Sequence, residues 1–97
     1  MDKNVIKISE MTGAFAENKD TAKSIREDKI IPLLANNQEI ILDFKGVDST
    51  TQSFIHALIS DLIRKFGTEV LDRVAFKNCN EIVQKIVAIV VDYMQGV

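Results

Sequence analysis

The chain has 97 residues, 46% of them hydrophobic and 27% charged, which suits one globular domain with a single core. Twelve basic and fourteen acidic side chains leave a formal net charge of −2, which argues against a dedicated nucleic-acid or anionic-membrane binder, whose affinity draws on a concentrated positive field. The single cysteine excludes an internal disulfide and a cysteine-rich zinc site, and it suits a reducing cytosol.

Residues 1–10 mix Asp2, Lys3, Lys7 and Glu10 with apolar side chains, so no signal-peptide core is expected there. The longest apolar run, residues 86–91, falls well short of the roughly twenty residues that a membrane-spanning helix needs. A cytoplasmic chain with no membrane partner is the expectation.

Val5-Ile6-Lys7-Ile8 is a short β-branched run and predicts a first strand. Residues 13–16 read as a loop, or as an early turn of the helix that follows. Residues 21–35 predict that helix on Ala22, Ile25, Ile30, Leu33 and Leu34, with Asp20 or Thr21 as its cap. Arg26 and Lys29 interrupt its apolar stripe. Pro32 has no N–H for the carbonyl of Asp28, which predicts a kink or a break.

Residues 39–44 carry the strongest strand signal, bounded by Asn36-Asn37 before and Gly46 after. Phe54, Ile55, Leu58, Ile59, Leu62, Ile63 and Phe66 then fill one helical face, with Gly67 placed to end the helix. At ~100° per residue this face spans about half the circumference. Asp61 and Lys65 are spaced for an i,i+4 pair at its margin. Residues 73–77 predict a third strand, ending at Asn78. Residues 81–95 predict a third helix with a similarly wide face: Ile82, Val83, Ile86, Val87, Ile89, Val90, Tyr93 and Met94. Faces this wide should touch more than a sheet, either one another or a partner.

Strand and helix alternate through the whole chain, which predicts a single α/β domain over 1–97 with three or four mostly parallel strands and three helices. Helices gathered on one side would leave the other sheet face uncovered. That face, or the excess apolar surface of the third helix, is where a homodimer is expected to form.

Two segments carry a family likeness. Ile41-Leu42-Asp43-Phe44-Lys45-Gly46-Val47 leads to Ser53-Phe54 and a long amphipathic helix, and Phe76-Lys77-Asn78-Cys79-Asn80 runs from a strand into a helix. Over residues 39–95 this pattern resembles the bacterial STAS-like domain of unknown function, a relative of the STAS domains of anti-sigma-factor antagonists. The resemblance implies a small STAS-like fold that works by docking and not by catalysis. Domains of the antagonist type bind a histidine-kinase-like ATPase through the loop and helix after the central strand. A serine at that helix N-terminus accepts phosphate, which switches binding off. The usual acceptor motif is Asp-Ser-Ser/Thr-Gly. Here Asp48-Ser49-Thr50 is followed by Thr51, and an ungapped alignment from Val47 puts Ser53 at the acceptor position with Phe54 in place of the glycine.

The candidate partner-binding surface is therefore Asp48, Ser49, Thr50, Thr51, Gln52, Ser53 and His56. Its plain reading is capping, since Ser49-Thr50-Thr51-Gln52 fits the S-x-x-Q capping box. Its functional reading is a phosphate on Ser53 or Thr50, adding up to about two negative charges at the positive end of the helix. His56, the single histidine, reads as a partly buried structural residue with a lesser docking role. No metal site is expected around one histidine, and no cofactor is implied.

A second group comprises Asp43, Cys79 and Asn80. Asp43 points away from the Leu42 face, held by a loop amide or an arginine or bordering a ligand crevice. Cys79 reads as a small buried hydrophobe, or as a thiol whose pKa a helix N-terminus lowers. Asn78 and Asn80 read as turn and cap residues. The alternative function is a small hydrolase or nucleotide-handling enzyme using Cys79, His56 and Asp43, which requires these groups to converge within hydrogen-bond reach. No glycine-rich phosphate loop or Walker motif accompanies them. Arg64, Lys65, Arg73 and Lys77 read as solvated surface.

Overall fold

The computed structural model describes residues 4–95; residues 1–3, part of the segment expected to lack a signal-peptide core, lie outside the described residues. Strands β1 (Asn4–Lys7), β3 (Ile40–Asp43) and β5 (Val74–Lys77) form a parallel sheet in the order β1-β3-β5. The strongest strand signal lies at its centre. Alternation does the sorting: Ile6, Ile40, Leu42 and Val74 are buried, and Ile8 and Phe44 continue that face beyond the strand ends. The opposite face shows Val5, Ile41 and Ala75 in one cross-strand row, then Lys7, Asp43 and Lys77 in the next. Val5 is half exposed and both lysines are exposed. The buried helix faces share one core with the first set, so the second face stays open, as a one-sided arrangement requires.

Two more strands were not expected. β2 (Phe15–Ala16) pairs in parallel with β4 (Ser49–Thr50), giving five strands among the described residues instead of three or four. Of residues 13–16, the first two form a connecting turn and the last two are strand, so the segment is not an early turn of the helix that follows. Ala16 is fully buried, and the carbonyls of Ala14 and Ala16 accept the N–H groups of Asp48 and Thr51 at 2.8 and 3.3 Å. A one-turn helix, α1 (Ser9–Thr12), precedes them and ends at Gly13, whose φ of 70° suits a residue without a side chain.

The first long helical segment is three pieces: α2 (Lys19–Ile25), a π turn (Arg26–Ile30) and α3 (Ile31–Ala35). Asn18 caps it, not Asp20 or Thr21; its side-chain oxygen accepts the N–H groups of both, at 2.8 and 3.1 Å. The expected break at Pro32 takes the form of the π turn. The N–H of Ile31 reaches back to the carbonyl of Arg26, and Pro32 falls in the first turn of α3, where no donor is needed. Arg26, one regular turn after Ala22, faces inward beside Ala22, Ile25, Ile30 and Leu34, so it is part of the buried face and not an interruption of it.

α4 (Gln52–Phe66) is the middle helix, packed against both α2 and α5 (Glu81–Gln95). Phe54, Ile55, Leu58, Ile59 and Leu62 are buried, and Gly67 ends the helix with φ 82°. Its wide face meets two helices and the shared core, as its width demands. The expected Asp61–Lys65 pair is replaced: Asp61 pairs with Arg26 at 3.2 Å and with Arg64 at 3.3 Å. A buried guanidinium from a neighbouring helix takes the carboxylate in place of an exposed lysine. α5 uses only part of its wide face; Val83, Val87 and Val90 are buried while Ile82, Ile89 and Tyr93 are exposed.

Candidate functional site

The start of α4 is built by the β2–β4 ladder. That pairing holds Ser49 and Thr50 extended, so the capping box of Ser49 and Gln52 does not form. Thr51, with φ −112° and ψ 158°, is the cap instead, and its hydroxyl accepts the N–H of Phe54 at 3.1 Å. Thr51→Ala is expected to cost about 1 kcal/mol of stability in urea unfolding, whereas Ser49→Ala should stay within about 0.5 kcal/mol.

The two hydroxyls considered as candidate phosphate acceptors differ sharply. Thr50 is buried, and its hydroxyl donates to the carbonyl of Ala16 at 2.7 Å. Ser53 is exposed in the first turn of α4, with its oxygen 3.2 Å from that of Thr51. Asp48 and Gln52 are also exposed; Ser49 is half-buried. His56, half-buried, lies one turn after Ser53 on the same flank. With Lys19, Gln52, Ser53 and Ala57 it faces Ile89, Val90 and Tyr93 across a groove of about 460 Å³ between α4 and α5. Lys19, Ile89 and Tyr93 were missed as site residues. The signal that locates two of them is the excess apolar width of the third helix.

Asn80 belongs with this surface more than with Asp43. It caps α5, accepting the N–H of Val83 at 2.9 Å, as its position before the helix suggests. Its amide also donates to the carbonyl of Asp48 at 2.8 Å, tying the loop before α4 to α5.

Asp43 closes the other corner. One carboxylate oxygen accepts the N–H of Lys45 and the side-chain amide of Asn78, each at 2.9 Å. A loop amide thus holds it, as expected, with asparagine where an arginine was the other option. Asn78 takes φ 59°, a left-handed turn that asparagine tolerates. The Asn78 bond, the Lys45 amide and the charges of Lys7 and Lys45 hold the Asp43 carboxyl below its usual range, against a smaller opposing effect of burial. A lowered folded pKa gives stability that is present above the unfolded value near 3.8 and lost as pH falls through the folded value. Asp43→Asn should therefore be less stable than the parent at neutral pH, and the gap should close below the unfolded value; urea melts across that acid range would show it.

Cys79 sits where its thiol is held in the protonated form. Burial, then the nearby charge of Asp43, pushes its pKa up, which fits the reading of a small buried side chain and not that of a thiol activated at a helix start. Its sulfur lies 3.8 Å from the carbonyl of Lys77. It lines a separate groove with Phe76, Gln84, Val87, Ala88 and Val91. These α5 residues lie on the opposite flank of the helix from Ile89 and Tyr93, so Cys79 and His56 sit on two sides of α5. The structure brings Asp43 to Cys79 but does not bring His56 to either. Among the described residues no group of three or more His, Cys, Asp or Glu is placed to hold a metal. No helix among them is long and apolar enough to cross a membrane.

A parallel sheet covered on one side by helices, with a capped helix following its central strand, is the small α/β class that the sequence pattern anticipates. The chain belongs to the family described as STAS-like domain of unknown function (DUF4325), whose model matches residues 21–84. That match begins earlier than the likeness over residues 39–95 and takes in most of α2 and the π turn as well as the loop before α4, Cys79 and Asn80. No curated protein and no solved structure matches the chain.

Proposed function

We propose that this chain is a non-enzymatic regulatory module of the cytoplasm that docks a protein partner, a histidine-kinase-like ATPase, through the loop and start of α4, with Ser53 as the phosphate-accepting switch. The observation that carries this reading is the division of labour at the helix start. Thr51 does the capping, which leaves the Ser53 hydroxyl exposed beside Gln52, His56 and the α4–α5 groove. A phosphate on Ser53 would stand at the positive end of α4 and change the charge of the docking rim without unfolding the helix. The separation of His56 from Cys79 weighs against the hydrolase alternative.

The test is a pull-down from the native cell with the parent protein and Ser53→Glu side by side, followed by incubation of the purified chain with the captured kinase and ATP. The expected result is an ATPase retained by the parent and lost by the variant, with phosphate mapped to Ser53 by mass spectrometry. A chain left unmodified over residues 49–53 removes the switch. Equal capture by both proteins removes the docking site.

A further inference from the structure

Part of the apolar surface of α5 stays open to solvent, and Ile89 and Tyr93 within it also form one wall of the α4–α5 groove. Val83, Val87 and Val90 face the core, but Ile82, Ile89 and Tyr93 are 55%, 48% and 66% exposed, and Ile86 between them is half-buried. These four residues follow one another at spacings of four, three and four, the interval at which a seam runs straight along a helix. At ~100° per residue the seam lies about 100° around α5 from the buried valines. No rotation of the helix can bury both.

We propose that this seam is the interface of a homodimer in which α5 packs antiparallel against α5 of a second copy across a two-fold axis. Charge selects both the occupant and the direction. Lys85 and Asp92 are exposed, flank the seam on its solvent side and have no ion-pair partner among the described residues. A two-fold axis midway between Ile86 and Ile89 sets Ile86 opposite Ile89 of the second copy, and Ile82 opposite Tyr93. The same operation brings Lys85 level with Asp92 of the second copy, to about 3 Å along the helix axis at 1.5 Å rise per residue. Symmetry makes that pairing twice. A parallel arrangement sets lysine level with lysine and aspartate level with aspartate, and gains neither pair. Any partner that merely filled the apolar seam would leave these two charges unmatched; a second copy of this chain matches them by its own sequence.

Light scattering coupled to size exclusion on the purified chain tests this without any docking partner. Because Ile89 and Tyr93 also wall the groove beside Ser53, a dimer formed this way and a partner docked there would compete, while the mass alone does not depend on the state of Ser53. The mass should rise from 10.9 kDa toward twice that value as concentration increases into the millimolar range. Ile89→Glu should stay monomeric with an unchanged circular dichroism spectrum, since the site is exposed. Lys85→Asp should dimerise about tenfold more weakly at low salt, by loss of two exposed pairs and the repulsion that replaces them. Adding Asp92→Lys to Lys85→Asp should restore the parent affinity. A monomer at every concentration overturns the proposal, as does a charge-swapped double variant that fails to recover. A dimer indifferent to Ile89→Glu but lost in Ile41→Glu places the interface on the open sheet face and overturns it equally.

Discussion

Phe44→Ala is expected to remove about 3–5 kcal/mol of stability, the largest loss of any single change argued for this chain. Phe44 follows β3 directly and is fully buried, with its ring centre 6.2 Å from that of Phe76 at a 30° tilt. Its N–H donates to the carbonyl of Lys77 at 2.9 Å, so the backbone is pinned to β5 while the ring fills the core. A pinned backbone limits how far the site can collapse around a lost ring, and the cavity term then adds to the lost transfer free energy. A domain of this size has only about 5–15 kcal/mol in total. Urea melts followed by circular dichroism would show the midpoint displaced accordingly. Phe15→Ala supplies the contrast: that ring is 62% exposed, and its loss should stay within about 0.5 kcal/mol. Equal effects at the two positions would remove burial as the cause.

The reasons Phe44 was legible in sequence also mark the limit of what was. β3 announces itself because burial alternates along it and because Asn37, at φ 60°, and Gly46, at φ 87°, turn the chain on either side. α4 and α5 announce themselves because their apolar period persists for four turns. The β2–β4 ladder has no such signature. Two residues cannot display alternation, and their pairing is decided by segments more than thirty residues apart. That unseen ladder moved the helix cap from Ser49 to Thr51, since S-x-x-Q spacing is satisfied locally whether or not the first serine is already held extended. It also separated Thr50 from Ser53, two hydroxyls equivalent in sequence, one buried and one exposed. His56 and Cys79 were inseparable on paper for a related reason. A helical wheel says which face of α4 is apolar, but not which flank of α5 that face meets.

Arg26→Ala is the second large effect expected, about 2–3 kcal/mol, from a residue whose charge makes it look like surface. Arg26 is 7% exposed within the π turn. One terminal nitrogen donates to the carbonyl of Ala57, the other lies 3.2 Å from Asp61, and Nε lies 3.2 Å from Glu27. It ties the first helical segment to the middle of α4 at the height where Pro32 forbids regular helix. Removing one partner of a fully buried ion pair costs about 3–5 kcal/mol because a charge is stranded. Here the side chains of Asp61 and Glu27 remain 42% and 49% exposed, so water takes over both carboxylates and that penalty does not apply in full. The loss comes instead from the packed stem and the bond to Ala57. Arg26→Met keeps the stem and should recover about half of it, while Arg26→Lys keeps charge and stem but offers a single point donor to three acceptors in a fork. At roughly 4–8 °C per kcal/mol, the alanine and methionine variants should be resolved by thermal melts. If methionine proves as damaging as alanine, the polar fork and not the stem joins the two helices.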